Sequence, residues 1–316
     1  MNYRDLSIPA RIITELEESE PSMEKKDNQY VQWSVLPNGV FVPAQRTVTE
    51  LEAGLYELRF DNGLGTYVMV RQNQNTDELF FLPSVEITEV IDDIKKFWEK
   101  RDIFLNYKFA HKRGILLYGE PGCGKSCIIQ LCMKHIIDEM NGIVINIKDE
   151  DDVDAYISFI HNFRKIEPNR PLIVIMEDLD SIMGEDKYST SRVLNILDGI
   201  KQIENVVYIA TTNYPEKLEE RVTNRPSRFD RRYKVELPDD EMRKAYLLHK
   251  IPASDIENID IDKWVKDTQS MSLAHLRELV ISTIVLGNTY KETIDKLNNL
   301  KKRPKGKEHP KVGFGS

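Results

Sequence analysis

The sequence GEPGCGKS occupies residues 119–126 and follows the apolar run GILLY at 114–118. It satisfies G-x-x-x-x-G-K-[ST] without a mismatch, between an apolar stretch that reads as a buried strand and a helix expected from 126 to 139. In that setting the glycines let successive backbone N–H groups converge on one point. The helix N-terminus adds about half a positive charge there. A polyphosphate suits such a cradle. Gly119, Pro121, Gly122, Cys123, Gly124 and Cys127 frame the site, Lys125 reaches the β- and γ-phosphates, and the Ser126 hydroxyl takes a position on Mg²⁺. A glycine-rich turn with a solvent-facing lysine would share the composition but not the strand–loop–helix context.

Working outward, LIVIMEDLD at 172–180 is an apolar strand that delivers two carboxylates at its C-terminal end, where open α/β sheets place their ligands. Order along the chain assigns Glu177 to the metal and Asp178 to the attacking water. An acidic turn capping the next segment is the alternative. VVYIATTN at 206–213 ends a third buried strand in Asn213, either a hydrogen-bonding partner for that water or γ-phosphate, or a turn or helix cap. In RPSRFDRR at 225–232, Arg225 and Arg228 are three residues apart. Such a cluster is either a solvated surface or a donor of positive charge to a neighbouring subunit's phosphate site.

Around this centre, 316 residues argue for about two domains. With 41% apolar and 30% charged residues the chain has the material for a substantial core. A net charge of -8 offers no global attraction to nucleic acid or an anionic membrane, a local basic patch aside. The three cysteines, Cys123, Cys127 and Cys132, lack C-x-x-C spacing and read as reduced, mostly buried side chains, with redox sensitivity of Cys123 as the other option. The first twenty residues carry acids and no apolar block, and no run of about 18 apolar residues occurs, so a soluble, cytoplasmic protein is expected.

Residues 8–16 form a short amphipathic candidate, followed by a polar run to 28. From 30 to 82, β-formers cluster at 31–35, 39–42, 54–60 and 66–70, with turn signals at Pro37-Asn38-Gly39 and Asp61-Asn62-Gly63. A small antiparallel N-terminal β domain over 1–85 is expected, serving interaction rather than chemistry. A helix over 86–106 leads into an α/β domain over 86–240, with strands at 115–118, 142–147, 172–176, 206–211 and 232–237 and helices at 126–139, 153–164 and 190–199. Helices at 242–250, 262–267, 272–287 and 292–302 make a helical lid over 241–302, and the basic stretch 303–316 reads as a tail.

Taken together, GEPGCGKS, IMEDLDS, NILDGI at 195–200, ATTN and RPSRFDR resemble the AAA family of ring-forming ATPases over about residues 97–279. The resemblance implies an α/β AAA+ P-loop domain with a parallel sheet and a C-terminal helical lid, in which SLAHLRELV at 272–280 is similar to the lid helix. It further implies ATP and Mg²⁺ as cofactors, Asn213 as the sensor, and Arg225 and Arg228 as arginine fingers acting across a homo-oligomeric, hexameric ring that remodels or assembles a protein partner. Within the family, the Glu-Asp order and TTNYPEKL at 211–218 are most similar to the branch of the mitochondrial Rieske-protein translocase and related phage and bacterial ATPases, though no membrane helix is present.

Two departures stand out. Most of the family ends the acidic strand Asp-Glu, so Glu177-Asp178 moves the shorter side chain to the water and implies slow turnover. Where threading members carry an aromatic pore loop, this chain has KDEDDV at 148–153, which cannot grip a polypeptide by intercalation; Tyr156 and Tyr188 are substitutes or packing residues. A nucleic-acid-dependent ATPase and a nucleotide-gated scaffold are the alternative readings.

Overall fold

A computed structural model describes residues 32–36, 40–44, 47–73, 85–183, 187–198, 203–218 and 228–301. The expected helix at 8–16, the tail at 303–316 and Arg225 lie outside these residues. The chain divides into two compact units between Leu51 and Glu52. In the first, β1 (Gln32–Leu36) and β2 (Val40–Ala44) form an antiparallel hairpin in which Gln32 faces Ala44 and Leu36 faces Val40.

The second unit is built on one seven-stranded sheet. Its strands are β3 (Gly54–Asp61), β4 (Thr66–Gln72), β5 (Lys112–Tyr118), β6 (Ile143–Ile147), β7 (Leu172–Met176), β8 (Val206–Thr212) and β9 (Arg231–Lys234), in the order β4-β3-β6-β7-β8-β5-β9. All neighbouring pairs are parallel except the β3–β4 hairpin. The strands expected near 54–60 and 66–70 therefore form, but not in a separate antiparallel domain: β3 pairs with β6 from Gly54↔Ile143 to Tyr56↔Ile145. The physical reason lies at the sheet edge. Every residue of β6 but Asn146 is buried, and an open edge on so apolar a strand would be an aggregation template, which the hairpin covers. The boundary expected at residue 85 moves accordingly, and the β-rich segment beyond Glu52 belongs to the α/β unit.

Helices fill the crossovers. Val85–Glu99 (α1) buries Ile87, Val90, Ile94, Phe97 and Trp98, a 3–4 spacing that lays one stripe on the core. Arg101–Asn106 (α2) leads to β5, and between them the buried His111 stacks on Phe97 with ring centroids 3.9 Å apart. Lys125–Met140 (α3) follows β5, and Glu150–Ile166 (α4) follows β6. The acidic run after Ile147 is thus the start of α4 rather than a long loop: Asp149 caps the helix by accepting from Asp152 N, and the Asp152 carboxylate accepts from Lys148 N at 2.8 Å. Tyr156 is buried, its hydroxyl 3.1 Å from that of Tyr208, and burial pushes Tyr208 up to about 12, so Tyr156 is a packing residue. The side chain of Tyr188 lies outside the described residues.

Leu179–Met183 (α5) and Lys187–Asp198 (α6) connect β7 to β8. Beyond β9 come α7 (Asp240–Lys250), the short α8 (Ala253–Ile256), α9 (Ile261–Asp267), α10 (Leu273–Val280), which continues as a π-helical segment Ile281–Val285, and α11 (Tyr290–Lys301). These carry their own core around Leu247, Trp264, Met271, Leu279 and Leu297. Tyr246, Leu273 and Leu276 join the core of the sheet instead, and so anchor the lid over the phosphate loop.

Candidate functional site

Parallel pairing brings the ends of β5, β7 and β8 to the same side of the sheet, with Tyr118 beside Thr212 and Met176, where β7 stops, beside Ala210. The residues that follow each strand, Gly119, Glu177 and Asn213, consequently meet at one edge of the sheet. β7 is wholly apolar and β8 is apolar but for Tyr208 and its two closing threonines, and both are completely buried, so the exposed polar residues begin at the sheet edge.

Lys125 is only 7% exposed. Its ammonium donates to the carbonyls of Gly119 (2.9 Å) and Glu120 (3.0 Å) and to Asn213 Oδ1 (2.7 Å). Asn213 in turn donates from Nδ2 to Asp178 Oδ1 at 3.0 Å, so one amide links the phosphate-loop lysine to the second carboxylate. The first carboxylate is engaged differently: Ser126 Oγ donates to Glu177 Oε2 at 2.9 Å. The two acids, adjacent in sequence, thus face different partners.

The backbone explains their separation. Asp178 has φ 49°, a left-handed conformation that few non-glycine residues adopt and that Asp tolerates better than most. Its N–H donates to Thr211 Oγ1 at 3.1 Å. Thr212 Oγ1 donates to Asp180 Oδ1 at 2.7 Å and accepts from Tyr214 N. Thr211, Thr212 and Asp180 therefore hold the turn. Sequence reasoning assigned them nothing, although two hydroxyls closing a fully buried strand were a usable signal.

Gly122 (φ 77°) is where the loop meets the lid: a Cβ there would come within 2.8 Å of Ser272 Oγ and 2.9 Å of Ala274 Cβ. Cys123 is buried beside Lys125, and burial raises its thiol pKa and that of the half-buried Cys127, so neither is a ready thiolate. Pro121 lines a cleft of about 720 Å³ together with Glu120, Asn213, Tyr214, Ser272 and His275.

A magnesium nucleotide fits this chemistry. The loop has no Cβ at its closest approach to the lid, the lysine is converged on the loop mouth, and Ser126 with Glu177 supplies hard oxygen donors. Among the described residues no group of three or more His, Cys, Asp or Glu side chains gathers as a metal cage. Magnesium bound with phosphates needs only one or two carboxylates, because it retains water and takes phosphate oxygens.

Arg228 stands apart from its own phosphate loop. It is 8% exposed, with Nε 3.6 Å from Asp198 Oδ2. Its carbonyl oxygen packs where a side chain on Gly114 would stand, and Gly114 lies five residues before Gly119, roughly 16 Å along an extended strand.

Residues 115–237 match the family described as "ATPase family associated with various cellular activities (AAA)". Among curated proteins, the chain is 27% identical over 216 residues to the "ATP-dependent zinc metalloprotease FtsH 2" of Sphaerobacter thermophilus, covering 64% of this chain and 32% of that protein. It is 27% identical over 198 residues to the "Proteasome-associated ATPase" of Parafrankia sp., covering 53% and 33% respectively. "Protein SAV" of Sulfolobus acidocaldarius is 29% identical over 208 residues, covering 61% and 26%. The chain spans about a third or less of the length of these relatives. Among the described residues no helix is long and apolar enough to cross a membrane.

Proposed function

We propose that this chain, whose residues 115–237 match the AAA family, hydrolyses ATP at sites shared between copies in a homo-oligomeric, hexameric ring and uses the motion to remodel or assemble a protein partner. The observation that carries this reading is the continuous link Lys125–Asn213–Asp178 beside the separate pair Ser126–Glu177.

In this mechanism Lys125 gives up its loop carbonyls for the β- and γ-phosphate oxygens, and the loop amides take the remaining charge. Ser126 and Glu177 would hold Mg²⁺, which would supply positive charge against the phosphates. Asp178 accepts the proton of the attacking water, and Asn213 orients that water through the amide that already bonds the carboxylate. Arg228 is too far from its own Gly119 to serve it. In a ring it acts with Arg225 on the neighbour's γ-phosphate, after exchanging Asp198 for that ligand.

The names of two relatives, a metalloprotease and proteasome-associated ATPases, favour a protein as the object of the motion. Residues 1–51, with their β1–β2 hairpin, are our candidate for contacting it, and the net charge of -8 speaks against a nucleic acid. The Glu177-Asp178 order and TTNYPEKL support placement near the Rieske-translocase branch, in a cytoplasmic form. A second reading, a nucleotide-gated scaffold with slow turnover, is favoured by that same order, since the shorter carboxylate faces the water.

Phosphate release by Arg228→Ala tests the shared site. A fall of about 10³-fold, with Mg-ATP affinity kept, is expected for a lost arginine finger. Thermal melting accompanies the assay, because the variant also removes the Arg228–Asp198 contact. Full turnover by a folded Arg228→Ala variant contradicts the shared site.

A further inference from the structure

The hairpin that covers β6 presents an edge of its own. Among the described residues β4 ends the sheet, pairing with β3 alone. Its seven residues, TYVMVRQ, are rich in β-formers and contain no proline, and their one charge, Arg71, is bonded to Glu52. An edge of that composition is a template for another strand. Towards the turn the hairpin also runs out of cover. β3 buries alternate residues as far as Leu58, but Phe60, next on the same face, is 53% exposed. Tyr56 pairs with Ile145, which sets Ile147, the last residue of β6, level with Leu58 and leaves Phe60 past the end of that strand. Phe60 stands across from Tyr67 with the rings 5.2 Å apart and edge to face, and Leu64 in the turn is 70% exposed. The turn itself is fixed, because Asp61 accepts from the N–H of Leu64 through Oδ1 at 2.9 Å and from that of Gly65 through its carbonyl at 2.8 Å.

Beside this apolar tip the charge is negative. α4 packs on β3 and β4, and Lys148, just before it, is tied to Glu57 of β3 by an ion pair. Residues 148–154 set that one lysine against five acids, of which Asp149 and Asp151 are exposed. Burial raises the Asp152 carboxyl above its ordinary range, and the charges of Asp149 and Glu57 push the same way, so negative charge is in surplus here. From this juxtaposition, and resting on the reading above that a protein is the object of the motion, we propose that the β4 edge docks an extended, lysine- or arginine-bearing segment of that protein, which adds to the sheet as a further strand. Main-chain hydrogen bonds along Thr66–Gln72 supply affinity, as in other strand additions. An apolar side chain of the segment covers Phe60, Leu64 and Tyr67, and its cations meet the acids at the start of α4. Charge selects this occupant. It repels nucleic acid and acidic segments, and a second copy would bring the same surplus of acid to its own β4 edge.

The test is fluorescence anisotropy on the full chain at about 0.15 M salt, with a labelled heptapeptide, the length of β4, that alternates lysine with valine or phenylalanine. One control peptide carries serine at every apolar position, and a second carries glutamate at every lysine. Wild type is expected to bind the first peptide at least about tenfold more tightly than either control. Phe60→Ala and Leu64→Ser are each expected to weaken that binding about threefold to tenfold, through the apolar area they remove. Asp151→Asn weakens it about twofold, the effect of an exposed ion pair. Leu64→Ser, confined to the turn, keeps the test decisive should Phe60→Ala disturb Tyr67. Basal phosphate release is expected to be unchanged in all three variants. Equal binding of the serine peptide, or undiminished binding by both Phe60→Ala and Leu64→Ser, overturns the proposal. Loss of self-assembly in those two variants makes the edge an interface between copies and overturns it as well. A wild type that hydrolyses ATP but does not bind the first peptide rejects the docking surface alone; one that binds it as expected without hydrolysing ATP rejects the proposed function and leaves the docking surface standing.

Discussion

Lys125→Ala is expected to lower ATP turnover by at least about 10³-fold and to weaken Mg-ATP binding in the same variant. Removing one preorganised donor from a developing oxyanion typically costs about 10²–10³. Here the donor is a full charge, 7% exposed, and it is the group to which Gly119, Glu120 and Asn213 are all bonded. Its deletion leaves two loop carbonyls and the Asn213 amide without their common partner, so the loop loses its charge and its shape together. Nucleotide titration with phosphate release in parallel checks this, and a variant that binds ATP within about threefold of wild type contradicts it.

The second large effect is expected at Asp178, where binding and chemistry separate. Asp178→Asn keeps the size of the side chain, an oxygen acceptor for Asn213 Nδ2 and a residue type that tolerates φ 49°, and it removes the proton acceptor alone. Turnover is expected to fall about 10²–10⁴-fold with Mg-ATP affinity within about threefold, the range for losing a general base. Single-turnover phosphate release on nucleotide-saturated protein measures this. An unchanged rate assigns the proton elsewhere and favours the scaffold reading, in which Asp178 performs no chemistry. Because it is expected to hold ATP, the same variant is also suited to capturing the proposed protein partner.

Much of this centre was legible in the sequence because its signals are local. A phosphate loop between a strand and a helix, and apolar strands ending in Glu177-Asp178 and in Asn213, define the sheet edge without knowledge of the pairing. The pairing itself was not legible. The alternation that buries Tyr56 and Leu58 says which face of β3 is covered, but not that its neighbour is β6, some ninety residues later. The acidic run at 148–152 was open to a better reading, since Asp149 followed three residues later by Asp152 is the pattern of a reciprocal helix cap. His111 and His275 carried no signal at all. Each gains its place through tertiary contact, one by stacking on Phe97 and the other by meeting a serine whose own partner is the phosphate loop.

In the proposed ring one copy's phosphate loop works with another copy's arginine, and mixing two inactive variants tests this. Lys125→Ala retains Arg228 and Arg228→Ala retains Lys125, so each alone is inactive for a different reason. After dissociation and reassembly of an equal mixture, about a quarter of head-to-tail interfaces join an intact loop to an intact arginine. Recovery of about a quarter of wild-type phosphate release is predicted if interfaces act independently; a mixture no more active than its two components contradicts the account.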